Sequence, residues 1–334
     1  MTEADAAITL HPYALPLVEP VTWGGQAQTE RRGILVRAET AAGAVGWGDV
    51  APLPGFSRET LAETAETLGR ASAGDVSALP FAAQFGLDLA LADAAAQEAG
   101  RPLAFSADPD VTVPLAGLVL GGPAPERLAH AERLAAAGYR TVKLKVGRGD
   151  VLADAALVRD VRAAVGPDVA LRLDANRVWS PADARRFADA LAGVALDFVE
   201  EPLADATGLP ELWLDTGLPI ALDETLQHPG GIDAIRGWAA AVVVKPTLVG
   251  GIAAALAIAE RARAVGVRVV ISAAFESGAG LRGLVALAAA TGGHAAGLDT
   301  YRWLARDVLA DRLPLDRPLA DVPGLLARPV RIAL

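Results

Sequence analysis

The sequence predicts an α/β protein, a closed β/α barrel carrying a smaller α+β satellite. From about residue 112 onward, short β-branched runs alternate with alanine-rich helical stretches at intervals of roughly 25 residues, the pattern of a parallel sheet with crossover helices. Eight such runs are present, the number that closes a parallel barrel. Hydrophobic residues make up 52% of the chain and aromatics only 5%, a composition suited to small helices packed on a buried sheet.

Residues 1–108 make the satellite. ILVRAETAAGAVGWGDVAPL reads as strands with a turn, and ETLAETAETLGRA and QFGLDLALADAAAQEAG read as helices. Residues 109–307 make the barrel, with strands at VTVPLAG (111–117), TVKLKV (141–146), ALRLDAN (170–176), DFVEEPL (197–203), PIALDET (219–225), AVVVKPT (241–247), RVVISAAF (268–275) and AAGLDT (295–300). Between them LAHAERLAAAGY, DAALVRDVRAAVG, ADARRFADALAG and IAAALAIAERARAVG space apolar residues as amphipathic helices do, and Gly138, Gly166, Gly193 and Gly266 follow as stops. Residues 308–334 leave no room for another βα unit and are expected to return to the satellite. No low-complexity linker intervenes, so the satellite should sit against the barrel, its loops TWGGQAQTERRG and PLPGFSRE covering a site there.

Charge and composition exclude several functions. The net charge is −10 with no basic stripe, so nucleic acid is not an expected partner. The absence of cysteine removes disulfides and thiolate-bound metals. MTEADAAITL has no basic cluster and no apolar run reaches about 18 residues, which predicts a soluble, cytoplasmic protein without a membrane partner. Alanine-rich helix faces announce no oligomeric interface.

Among the 30 basic residues, only Lys143, Lys145 and Lys245 are lysines. Arginine keeps its proton near neutral pH, whereas a buried lysine can lose one, so the three lysines mark chemical positions. Asparagine is rarer still, with Asn176 alone. Depletion of this kind accompanies heat adaptation or nucleotide bias.

Working residues of a parallel barrel sit at the C-terminal ends of its strands. Here five consecutive strands end in K-L-K, D-A-N, E-E-P, D-E-T and K-P-T. Lys143 and Lys145 point the same way, and mutual repulsion is expected to depress their pKa toward that of a general base. Asp174, Glu200 and Asp223, from neighbouring strands, converge at the mouth, and three carboxylates call for a cation. With no histidine or cysteine nearby, Mg2+ or Mn2+ suits them better than zinc; ion pairing with Arg172 or Arg177 is the plainer alternative. Glu201 and Glu224 should point away, although spacing alone does not decide which glutamate of the pair binds. Lys245 lies across the barrel from the K-L-K strand, an arrangement for acid/base work on both faces of a planar intermediate. Asn176, ending its strand motif, is a candidate substrate contact.

Gly278-Ala279-Gly280-Leu281-Arg282-Gly283 matches G-x-G-x-x-G ahead of Asp299 and alone would propose an NAD-dependent oxidoreductase, but too little chain follows for a dinucleotide-binding half. In a barrel the same amides, Gly280 among them, make an anion pocket for substrate, with Ser272 or Ser277 adding a hydroxyl. The histidines His11, His130, His228 and His294 lie away from the strand ends and read as surface or structural.

Together these motifs resemble the enolase superfamily and its muconate-lactonizing subgroup, over nearly the whole chain. LRLDANRVWS, FVEEPL, VVVKPTLVGG, ISAAFESGAGL and the closing GLDT are similar to the subgroup's lyases of menaquinone biosynthesis. The resemblance implies a (β/α)7β-type modified TIM barrel with an α+β capping domain. It also implies Mg2+, with Mn2+ as a substitute, on Asp174, Glu200 (the first of the pair) and Asp223, and Lys145 and Lys245 on opposite substrate faces, with Lys143 tuning its neighbour. The implied reaction is a hydro-lyase step, syn elimination of water from 2-succinyl-6-hydroxy-2,4-cyclohexadiene-1-carboxylate to give o-succinylbenzoate. Lys145 takes the α-proton and the metal holds the enediolate. Racemisation of N-succinylamino acids on the same two-lysine site is the alternative. Relatives that dehydrate hydroxy acids use a late-strand histidine absent here, and dipeptide epimerases carry D-x-D where this chain has Asp299-Thr300-Tyr301. In ISAAFES alanines stand where relatives often have serine, leaving Ser272 as the first polar group.

Overall fold

The computed structural model describes residues 6–71, 79–328 and 330–333. The expected tail motif RPVRIAL includes Pro329 and Leu334, which lie outside them. Strands β1 (Ala6–Trp23), β2 (Gln26–Thr40) and β3 (Val45–Val50) form an antiparallel sheet, and α1 (Leu61–Ala71) and α2 (Phe81–Glu98) follow. The long β1 was not read from the sequence; its polar–apolar alternation is broken by Pro12, Pro16 and Pro20. It turns into β2 through Gly24 and Gly25, both at positive φ.

Helix α2 lies directly on β3, because the strand face opposite it carries Gly46 and Gly48. A Cβ on Gly48 would come within 1.8 Å of the Gly86 carbonyl oxygen in α2. Val36, Ala38, Val50, Leu87 and Ala90 fill the space beneath with almost no exposure.

Chain order then runs β4 (Thr112–Pro114), β5 (Gly117–Val119), α3 (Ala124–Ala136), β6 (Thr141–Lys145), α4 (Val151–Val165), β7 (Ala170–Asp174), α5 (Pro181–Ala190), β8 (Phe198–Glu200), α6 (Leu209–Thr216), β9 (Ile220–Leu222), β10 (Ala241–Val244), α7 (Pro246–Val249), α8 (Gly251–Ala264), β11 (Arg268–Ile271), α9 (Gly278–Thr291), β12 (Leu319–Asp321) and α10 (Val322–Leu326). Strands β5 to β11 pair in sequence order as one parallel sheet. The eighth position is a short segment that bridges both edges: Ala296 pairs with Leu115 beside β5, and Gly297 pairs with Ser272 after β11. A 3₁₀ turn, Asp299–Trp303, follows it in place of an eighth helix. This is the (β/α)7β barrel with an α+β cap.

Three details differ from the expectation. The run 111–117 splits into β4, which pairs antiparallel with β12, and β5, which enters the barrel; Pro114 cannot donate to a central ladder. After β9 two 3₁₀ turns, Glu224–Gln227 and Gly231–Ala234, replace a helix. The segment after 308 was expected on the satellite. Its bonds run instead to β4, which leads into the barrel, and to the barrel's own later elements: β12 to β4, Leu325, Leu326 and Arg328 carbonyls to Arg282 of α9, and Arg312 to Leu304 and Tyr301. Gly138, Gly166, Gly193 and Gly266 have φ of 93°, 76°, 80° and 73°, the positive-φ backbone at which the chain leaves each helix.

Gly48→Ala is expected to destabilise the protein by about 1–3 kcal/mol or more, because its methyl group would meet backbone that cannot rotate away. A urea midpoint equal to wild type would show that α2 is not seated on β3 as described.

Candidate active site

Barrel closure brings the ends of β6 to β10 to one mouth, and each end contributes a charged side chain. Asp174, Glu200 and Asp223 are essentially inaccessible to solvent. Lys143 Nζ lies 2.7 Å from Asp174 Oδ2 and 2.7 Å from Glu200 Oε2. Lys145 Nζ donates to Asp174 Oδ2 at 2.6 Å and to the Asn176 Oδ1 at 2.7 Å. Lys245 donates to Asp223 Oδ2 and stands 3.9 Å from Glu200 Oε1. Arg172 binds Asp197 and the Ala295 carbonyl, and Arg177 binds the Ala204 carbonyl and meets His228, so neither arginine pairs with the three carboxylates.

The electrostatics follow from burial and this pairing. Burial pulls Lys143 down, but Asp174 and Glu200 outweigh it and hold the ammonium above the ordinary lysine value. Lys245 is raised in the same way, Asp223 leading against burial. The expectation that lysine–lysine repulsion would depress Lys143 is therefore corrected: shared carboxylates lie closer than the neighbouring ammonium matters. Burial raises Asp174, yet Lys143, Lys145 and Lys245 together hold it well below the carboxylate range. Glu200 is pushed up to about 8 by burial and the adjacent Asp174, and Asp223 to about 6 by burial against Lys245.

Among the described residues no three acidic or histidine side chains, as placed, converge on a common ion position. Lysine ammonium groups instead link the carboxylates in pairs. The donor set nonetheless fits a hard divalent cation. All three groups are buried carboxylates on successive strands, and Glu200 Oε1 is buried with no hydrogen-bond partner.

Glu201, just past the end of β8 and at positive φ, turns away from the mouth and accepts from Asp223 N and Thr225 N at 2.8 Å each. Glu224 does not. The strand stops at Leu222 and a 3₁₀ turn begins, so alternation no longer applies; Glu224 Oε1 accepts from Asn176 Nδ2 at 3.3 Å, and burial raises its pKa. Non-glycine residues at positive φ cluster here: Asn176, Arg177, Glu201 and Phe275, at 47°, 61°, 40° and 62°. Such backbone marks a site where geometry is over-determined by its surroundings.

A cavity of about 820 Å³ opens above these groups, lined by Lys143, Lys145, Asn176, Lys245 and Ser272. Cap residues Trp23, Leu53 and Phe56 close it from above, as the two loops predicted. Ser272 donates weakly to the Gly297 carbonyl, 3.3 Å away. Gly280 is not a cavity residue, which corrects the anion-pocket reading. The N-terminus of α9 is already filled by the protein's own carboxylates: Asp49 of β3 accepts from Ser277 N at 2.7 Å and Ser277 Oγ at 2.8 Å, and Asp307 accepts from Gly278 N at 2.8 Å. The same filling removes the place a dinucleotide pyrophosphate would need. His130 does line the cavity; burial and Arg302 lower its pKa to about 4, so it is a neutral partner of that arginine.

Fold and mouth together define a lysine- and carboxylate-bearing barrel of the enolase class. Residues 126–329 match the family described as enolase C-terminal domain-like, and residues 6–94 match the MenC N-terminal domain. The chain is 36% identical to o-succinylbenzoate synthase of Yersinia enterocolitica over 84% of this chain and 86% of that one. It is 33% identical to o-succinylbenzoate synthase of Vibrio cholerae, over 84% of each. A dipeptide epimerase from Enterococcus faecalis complexed with Mg and a dipeptide superposes with TM-score 0.85 at 27% identity, covering 96% of this chain and 99% of that one. The chain belongs to the o-succinylbenzoate synthase family of the enolase superfamily.

Asp299, at the eighth strand position, accepts from Leu118 N at 2.7 Å, and burial pushes it up to about 6. A carboxyl whose folded pKa exceeds its unfolded value of about 4 supports the fold when protonated, and that support is lost as pH rises from about 4 through about 6. Asp299→Asn keeps an acceptor for Leu118. It should therefore gain stability over wild type on going from pH 4 to pH 7, by about 1–3 kcal/mol, read from urea unfolding at both pH values. A pH-independent difference would contradict the buried charge.

Proposed function

We propose that the chain dehydrates 2-succinyl-6-hydroxy-2,4-cyclohexadiene-1-carboxylate to o-succinylbenzoate, the activity named for its relatives, using the lysines and carboxylates of the barrel mouth. The observation that carries the residue assignment is the presence of Lys145 on β6 and Lys245 after β10 in the wall of one covered cavity, beside three buried carboxylates.

Asp174, Glu200 and Asp223 would hold the divalent cation. When bound, Mg2+, or Mn2+ in its place, would supply positive charge to offset that of the substrate carboxylate and of the carboxylates that hold Lys143 and Lys245 protonated. Lys145 in its neutral form takes the proton from the carbon beside the carboxylate. Because proton and hydroxyl leave the same face in a syn elimination, the same ammonium then donates to the departing hydroxyl. Lys245 stays protonated on the other face and offsets the negative charge that spreads over the planar anion. Lys143 shares Asp174 Oδ2 with Lys145, so its ammonium fixes the carboxylate against which Lys145 is held. Asn176 orients Lys145 through its side-chain oxygen, and Ser272 lies on the wall where a substrate oxygen can reach it. Trp23, Leu53, Phe56 and Phe275 exclude water from the anion.

An ultraviolet progress curve of aromatic product, run with Mg2+ and with excess chelator, tests the activity. Metal-dependent conversion is expected. A protein that binds metal and converts nothing would shift the reaction to racemisation of N-succinylamino acids on the same lysines. Lys145→Ala is expected to lower turnover by roughly 10²–10⁴-fold with metal binding intact, whereas Asp223→Asn should weaken metal binding measured by titration calorimetry. Wild-type turnover in the lysine variant would remove it as the base.

A further inference from the structure

Arg31 of β2 is only 2% exposed, and its donors go to backbone carbonyls rather than to a carboxylate. Nε donates to the Phe275 carbonyl at 3.0 Å. One terminal nitrogen donates to Pro52 at 2.8 Å and more loosely to Arg32 at 3.4 Å, and the other to Ala51 and, at 3.2 Å, to Ala274. A guanidinium has five N–H donors in a fixed fork, and here each has a carbonyl. Burying a cation is costly unless its donors are satisfied, so this set of carbonyls is held in place by the charge at its centre.

Two of those carbonyls belong to the cap segment that leads into Leu53 and Phe56, and two to the loop after β11. Leu53, Phe56, Ala274 and Phe275 all line the cavity. Trp23, also in the lining, stands edge-on to Phe275 with ring centroids 4.7 Å apart, and the guanidinium carbon lies 5.8 Å from the Trp23 ring centre. Phe275 has φ of 62°, a conformation that a phenylalanine keeps only where its neighbours hold it.

From this arrangement we infer that Arg31 is a positioning residue for the dehydration: its fork sets the distance between cap and barrel wall and so shapes the substrate side of the cavity. The inference rests on the reading of that cavity as the dehydration site. Arg31 touches no reacting atom, so its loss should act on substrate and product binding rather than on proton transfer. A lysine, with three donors on a compact head, keeps the charge but cannot reach five carbonyls.

The test uses full-length Arg31→Lys, Arg31→Gln and Arg31→Met with bound Mg2+. It measures KM and kcat for dehydration, the Kd of o-succinylbenzoate by tryptophan fluorescence, and thermal unfolding. KM and product Kd are expected to rise about tenfold or more in all three, with kcat falling less than about threefold, and lysine should not rescue. Unchanged KM and Kd, a loss confined to kcat, full rescue by lysine, or failure of all three variants to fold would each overturn the assignment, the last by making Arg31 a stability element only. If wild-type protein neither turns over nor binds product, the dehydration reading falls and this one with it. If wild type does both and the variants match it, only the role of Arg31 falls.

Discussion

The constraint on which the rest depends is the packing of three half-buried lysines against three buried carboxylates at one barrel mouth. Each charge alone would cost several kcal/mol to bury, and each is tolerable because the opposite sign stands within hydrogen-bond distance on a strand one or two places away. Register makes this possible. Lys145 pairs directly with Asp174, and Asp174 with Glu200, so these three fall on one row across β6, β7 and β8. A one-residue slip of any strand would turn its charge into the apolar layer outside. Such an arrangement is poor as a stability device and useful as chemistry, because any new charge that enters redistributes the protons among these groups.

The cap is tied to this mouth by polar contacts that reach deep into the interface. Asp49 of β3 occupies the N-terminus of α9 and also accepts from Tyr13 at 2.7 Å, and burial raises its pKa against those bonds. Glu276, in the same loop, accepts from Thr247 at 2.6 Å and from Ala274 N at 2.5 Å. Glu276 thereby orders the loop after β11, and Arg31 and Asp49 connect that loop to the antiparallel sheet through buried, directional bonds. Apolar packing alone would allow the two parts to slide; a fork on five carbonyls does not. The cover over the cavity is thereby set by the same residues that join the domains.

Much of the barrel could be read from the chain alone, because two periodicities are local. Alternation on β6 assigns Lys143 and Lys145 to one face, and the three- and four-residue spacing in α3, α4, α5 and α8 needs no tertiary partner to be seen. The scarcity of lysine carried the chemistry: with arginine used elsewhere, Lys143, Lys145 and Lys245 stood out by type before any of them had a position. Strand ends in order then placed the carboxylates on adjacent strands.

What the chain by itself determined was therefore the order of strands, the charged residue at the end of each, and the family to which that order belongs. Only the tertiary structure decided how those charges share protons, which way Glu224 turns once its strand ends, and that Asp49 and Asp307 fill the helix terminus that Gly280 suggested as an anion pocket. It also decided that the tail joins β4 and α9, and that Arg31 sits between cap and wall. The physical reason is range. Periodicity and turn chemistry act over a few residues, whereas Asp49 reaches Ser277 and Arg31 reaches Phe275 across more than two hundred residues, and no local pattern records a partner so distant along the chain.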